Sequence, residues 1–74
     1  MFKTASRETV ERLKKDYPKG CRVELVSMGD DPRGILPGTK GTVVVVDDIG
    51  TIHVKWDNGR SLGVCYGEDF CRRI

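Results

Sequence analysis

Ile52-His53-Val54-Lys55-Trp56-Asp57-Asn58-Gly59-Arg60-Ser61-Leu62-Gly63-Val64 is the stretch that decides the fold. Ile52, Val54 and Trp56 alternate with His53, Lys55 and Asp57, the period of two of a half-buried strand. Asn58-Gly59 follows, a two-residue signal for a tight hairpin because both residues tolerate positive φ. Leu62 and Val64 then resume the alternation, so residues 61–66 form the returning strand.

The same period extends in both directions. Upstream, Cys21, Val23 and Leu25 alternate with Arg22 and Glu24, which predicts a first strand. Thr39 to Val46 is a second, and its four consecutive valines predict apolar contact on both faces, with Val44 and Val46 outward and covered by a helix. Asp47-Asp48-Ile49-Gly50 turns the chain into the third strand. Downstream, Gly67-Glu68-Asp69-Phe70 is a tight turn and residues 71–74 are a short fifth strand. Residues 29–38 are a long loop rich in breakers, ending in Pro37-Gly38.

The N-terminus has a different period. Val10, Leu13 and Tyr17 recur at spacings of three and four and share one face of a helix over residues 4–17. Thr4 or Ser6 caps it, because a hydroxyl accepts from the free N–H groups of the first turn. Glu8–Arg12 and Glu11–Lys15 are expected as i,i+4 pairs, and Pro18 with Gly20 ends the helix. A helix this short is marginal alone in water, so its stripe must dock. The expected fold is mainly β: a five-stranded SH3-like barrel over residues 20–74, preceded by an amphipathic helix within residues 1–19. Closure of the barrel would protect its strand edges.

Seventy-four residues allow one domain, and a chain of this size buries only about 60% of its unfolded surface. Charged residues are 32% and hydrophobic ones 38%, which suits a folded chain rather than a disordered one. No apolar run approaches the roughly 20 residues that span a bilayer. Met1-Phe2-Lys3-Thr4 leads into a polar stretch without a signal peptide's apolar run, so a cytoplasmic protein without membrane contact is expected. Cys21, Cys65 and Cys71 are an odd set, read as reduced thiols. The net charge of +2 is uneven. Residues 1–20 hold six cations against three anions, and residues 21–74 seven against eight.

Two stretches resemble known families. Gly38-Thr39-Lys40-Gly41-Thr42-Val43 resembles the Gly-x-x-Gly-x-Val start of KOW-type barrels in ribosomal and transcription-elongation proteins. Tyr17-Pro18-Lys19-Gly20, Arg22-Val23-Glu24-Leu25, Pro37 to Val43, and Asp47-Asp48-Ile49-Gly50 through Trp56-Asp57-Asn58-Gly59 with Ser61-Leu62-Gly63 are similar to a small bacterial and phage family. That family is the domain of unknown function numbered 4314. The resemblance runs from about residue 17 to the C-terminus and implies the barrel and a bacterial or mobile-element origin. It carries no activity. Cys21 stands where that family has a small polar residue, and Cys65 and Cys71 lie where it has no cysteine.

The chemistry-bearing residues argue against catalysis. Structural zinc sites present paired ligands two to four residues apart, and Cys21, His53, Cys65 and Cys71 contain no such pair. His53 is out of phase with Ile52 and Val54, so it points away from the core. No nucleophile motif or phosphate-binding loop occurs, and Asp30-Asp31 and Asp47-Asp48 read as turn caps. Neither a cofactor nor a metal is expected. Polyproline recognition needs several exposed aromatics in one place, whereas Trp56 is in phase with the core and Phe2, Tyr17, Tyr66 and Phe70 are scattered. The expectation is a non-enzymatic adaptor or regulator working through protein–protein contacts. Its candidate binding surface combines the long loop (Asp30, Asp31, Arg33, Ile35, Leu36) with the hairpin (Trp56, Asp57, Asn58, Arg60). The alternative is a KOW-like barrel binding RNA or DNA through Lys40, Lys55, Arg60, Arg72, Arg73 and the helix cations.

Overall fold

The computed structural model describes residues 5–29 and 34–74. The chain runs α1 (Arg7–Asp16), β1 (Arg22–Ser27), β2 (Lys40–Val46), β3 (Thr51–Trp56), β4 (Ser61–Cys65), β5 (Phe70–Arg73). The fold is mainly β with one N-terminal helix. Among the described residues, no helix is long and apolar enough to cross a membrane.

Ser6 caps α1: its side chain accepts from the backbone N–H of Thr9, and Tyr17 closes the far end with its N–H on Leu13 O. Thr4, the other cap expected, lies outside the described residues. The expected pairs Glu8–Arg12 and Glu11–Lys15 do not form. Glu11 instead faces Arg7 one turn back, at 3.8 Å, while Lys14 reaches across to Asp48 at 2.8 Å. Both are exposed side chains, for which several pairings differ little in energy.

The five strands form one antiparallel sheet in the order β4-β3-β2-β1-β5. Each tight connection follows its local sequence. Gly59 in the Asn58-Gly59 turn has φ +89°, the left-handed region open to glycine. In β2, Gly41 lies against Trp56 of β3, and a Cβ there would fall 2.5 Å from a Val54 methyl and 2.8 Å from the Trp56 ring. Gly41 is thus required by packing rather than by backbone conformation.

The sheet is unclosed. β4 and β5 stand at its two ends, joined by the turn at residues 66–69 and by no ladder among the described residues. The barrel closure expected from sequence is therefore an open seam. Beside it, Leu13 and Tyr17 of α1 pack against the core that holds Ile35, Val23, Leu25, Val54 and Trp56.

Two expectations about apolar residues change. Val46 is buried, not outward, while Val44 and Val45 are each about half exposed. The cause is a bulge: Val43 opposes Val54 and Val45 opposes His53, so one extra residue resets the alternation and turns Val43 and Val46 inward. Ile35, expected at an exposed loop tip, is 3% exposed and belongs to the core.

Candidate functional site

The loop-and-hairpin surface falls only partly on described residues. Asp30, Asp31 and Arg33 lie outside the described residues. Ile35 is buried in the core cluster with Val23, Leu25 and Trp56, its N–H near the Met28 sulfur at 3.5 Å. Trp56 is 1% exposed and donates its indole N–H to Leu62 O at 3.0 Å. Its inward phase in β3 takes it out of any surface. Leu36 is exposed at 76%. Asp57, Asn58 and Arg60 are also exposed, but two of them are engaged within the fold. Asp57 holds Arg22 in a bidentate pair, and Asn58 Oδ1 accepts from the Arg60 N–H at 3.0 Å. The loop return and the hairpin do adjoin, since Lys40 O accepts from the Asp57 N–H at 2.9 Å.

The fold instead gathers an apolar groove at the seam. Leu13 and Tyr17 of α1 form one wall, Ile52 and Val64 the floor, and Tyr66 and Phe70 the opposite rim, around an open volume of about 440 Å³. Ile52 and Val64 are buried, whereas Tyr66 and Phe70 are about half exposed. Three aromatic side chains thus border one cavity, Tyr17 from the N-terminal helix and Tyr66 and Phe70 from one turn near the C-terminus. The sequence signal for it was slight: Tyr17 ends the apolar helix stripe, and Tyr66 and Phe70 bracket the Gly67-Glu68-Asp69 turn.

That turn is held rigidly. Asp69 accepts from the Gly29 N–H at 2.9 Å and from the Cys65 N–H at 3.0 Å. The N–H groups of Glu68 and Asp69 donate back to Cys65 O. Tyr17 donates its hydroxyl toward Cys71 O at 3.4 Å. Burial pushes the Tyr17 hydroxyl above its ordinary pKa, with Cys71 and Asp16 adding to it. Burial also raises the Cys65 thiol, helped by Asp69, and pushes Cys71 up to about 11. Both thiols are therefore neutral near pH 7, the unreactive form.

Elsewhere, His53 Nε2 lies 2.8 Å from Asp47 Oδ2, at the β2–β3 turn. Among the described residues no three His, Cys, Asp or Glu side chains gather as a metal site would need. Of the outward cations, Arg72 is taken by Glu24 and Arg73 donates to Asp16 O. Lys40, Lys55 and Arg60 are exposed and have no carboxylate partner among the described residues.

A family model described as a domain of unknown function (DUF4314) matches residues 6–74. No curated protein and no solved structure matches the chain.

Proposed function

The chain belongs to the DUF4314 family, a domain of unknown function, and on that premise we propose that it is a small non-enzymatic binding module acting through protein–protein contacts. The supporting observation is the seam groove. An apolar floor lies beneath two half-exposed aromatic side chains, and aromatic residues over an apolar recess are what protein interfaces use as anchors. This moves the contact surface from the long loop to α1, the β3–β4 floor and the 66–70 turn. The strand order favours reading the sheet as SH3-like. The resemblance of Asp47 to Gly59 favours a bacterial or phage origin and a cytoplasmic role as adaptor or regulator.

The test is a pull-down of the tagged chain from bacterial lysate, in nuclease-treated and untreated halves, beside Tyr66→Ala with Phe70→Ala. Both side chains are half exposed, so the double variant should keep its fold, checked by circular dichroism. A partner that survives nuclease and is lost from the double variant is the expected result. A partner held equally by the double variant would exclude the groove.

A second reading, nucleic-acid binding, draws on the exposed Lys40, Lys55 and Arg60, which have no carboxylate partner among the described residues. It requires enrichment that vanishes with nuclease and an affinity whose logarithm falls with log salt by about 0.7–0.9 per phosphate contacted.

A further inference from the structure

The charges of the sheet are sorted by end. The β2–β3 turn carries Asp47 and Asp48 and the β4–β5 turn carries Glu68 and Asp69. Both turns, and the groove, lie at the end of β3 where Thr51 opposes Cys65. The other end, at the β3–β4 hairpin, is basic. There the register lines up Arg22, Thr42, Lys55 and Ser61 across β1 to β4, and the alternation points all four away from the core. Three strand spacings make that row about 14 Å long. A second row holds Arg72, Glu24 and Lys40. Asp57 adjoins it, its N–H on Lys40 O, and Arg60 follows in the hairpin. Among the described residues, five cations there face two anions, a net of +3. Glu24 takes Arg72 and Asp57 takes Arg22, which leaves Lys40, Lys55 and Arg60. Lys40 also lies in the field of Asp57, but that carboxylate is already held by two guanidinium nitrogens of Arg22.

We propose that the hairpin end of the sheet docks duplex DNA through its phosphate backbone, without reading sequence, by way of Lys40, Lys55 and Arg60. The inference rests on the nucleic-acid reading above, not on the groove, and gives that reading a surface and an occupant. Charge complementarity argues for it: a duplex carries one negative charge per roughly 1.7 Å of its axis, and each lysine or arginine that meets a phosphate releases counterions. The exposed Ser61 hydroxyl adds a donor of the kind that positions a protein on the backbone. The acidic turns do not oppose this. The six residues of β3 set the two ends about 20 Å apart, well beyond the screening length of about 8 Å at physiological salt. The exposed aromatics Tyr66 and Phe70 belong to the groove, so neither row offers the stacking platform that single strands use. A row of about 14 Å matches one major groove of B-DNA, about 12 Å wide. Readers of duplex RNA instead contact successive grooves over about 16 base pairs.

The experiment follows the fluorescence anisotropy of a labelled DNA duplex of about 20 base pairs as the full chain is added, at several salt concentrations. The logarithm of the affinity should fall with log salt at a slope of about −3, close to 0.9 for each of the three cations. Lys40→Gln with Lys55→Gln should weaken binding at least about tenfold at about 0.1 M salt and bring the slope to about −1. Arg12→Gln with Lys15→Gln removes the same charge from the exposed face of α1. It should leave the slope unchanged and the affinity within about twofold. Circular dichroism checks that both double variants are folded. Equal losses from the two pairs would overturn the surface and leave only attraction by net charge. A single strand of the same sequence bound as tightly as the duplex, or an RNA duplex bound more tightly than the DNA, would overturn the occupant. A duplex left unbound at low salt would overturn the proposal and the nucleic-acid reading together, and would leave the groove untouched.

Discussion

Asp47 illustrates how much one side chain can be asked to do in a chain this small. One carboxylate oxygen accepts from the N–H groups of Ile49 at 3.1 Å and Thr51 at 2.9 Å, while the other faces His53. Burial pushes this carboxyl up, but the Thr51 N–H, the His53 hydrogen bond and the Ile49 N–H outweigh it and hold it below the usual range. Asp57 is lowered as well, chiefly by its hydrogen bond from Arg22. A carboxyl with a depressed folded-state pKa contributes stability that is complete above its unfolded value, near 4. That stability is lost as pH falls through this value toward the folded one. Urea midpoints should therefore hold between pH 7 and 5 with respect to these groups and fall below about pH 4. Asp47→Asn should be less stable than the parent at neutral pH and fall less steeply under acid. A variant with the parent's full acid slope would show that Asp47 is not one of the groups responsible.

The elements differ in how plainly their sequences announce them, and β2 and β3 are the instructive pair. In β3 every buried residue is separated by a polar one, so Ile52, Val54 and Trp56 could be assigned to the core, and they lie there. In β2 four valines run together. No polar residue marks the outward positions, so a bulge after Val43 leaves no trace in the pattern, and the phase expected for Val46 was inverted. The Ile35-Leu36 pair was opaque for a related reason, since two adjacent apolar residues in a breaker-rich loop offer no basis for choosing which turns in. The bulge makes a sharp prediction. Val46→Ala removes buried methyl groups and should cost about 2 kcal/mol, whereas Val45→Ala on the exposed face should stay within about 0.5 kcal/mol. Urea unfolding of the two variants measures the difference, and equal losses would contradict the register.

At the scale of the molecule, the groove could not be read in advance because its parts meet only after the sheet is ordered. Tyr17 is 49 residues from Tyr66 in sequence, and they share a cavity because β5 lies beside β1 and α1 packs over the seam. The same order sets how the fold should open. β1, β2 and β3 have neighbours on both sides, while β4 and β5 have one each. The N–H of Val43 donates to Cys21 O at 2.9 Å and that of Leu25 to Thr39 O, both on buried residues. In β4, the Trp56 N–H bond to Arg60 O and the register direct the Gly63 N–H away from β3. In β5, the Ile74 N–H bond to Arg22 O likewise directs the Arg73 N–H to the outer edge. Hydrogen exchange should then be slowest at Val43 and Leu25, approaching the rate of global unfolding, and fastest among strand amides at Gly63 and Arg73. Protection of Gly63 and Arg73 equal to that of Val43 would mean that β4 and β5 are bonded across the seam. The groove would then be closed, and a contact surface built on its opening would lose its basis.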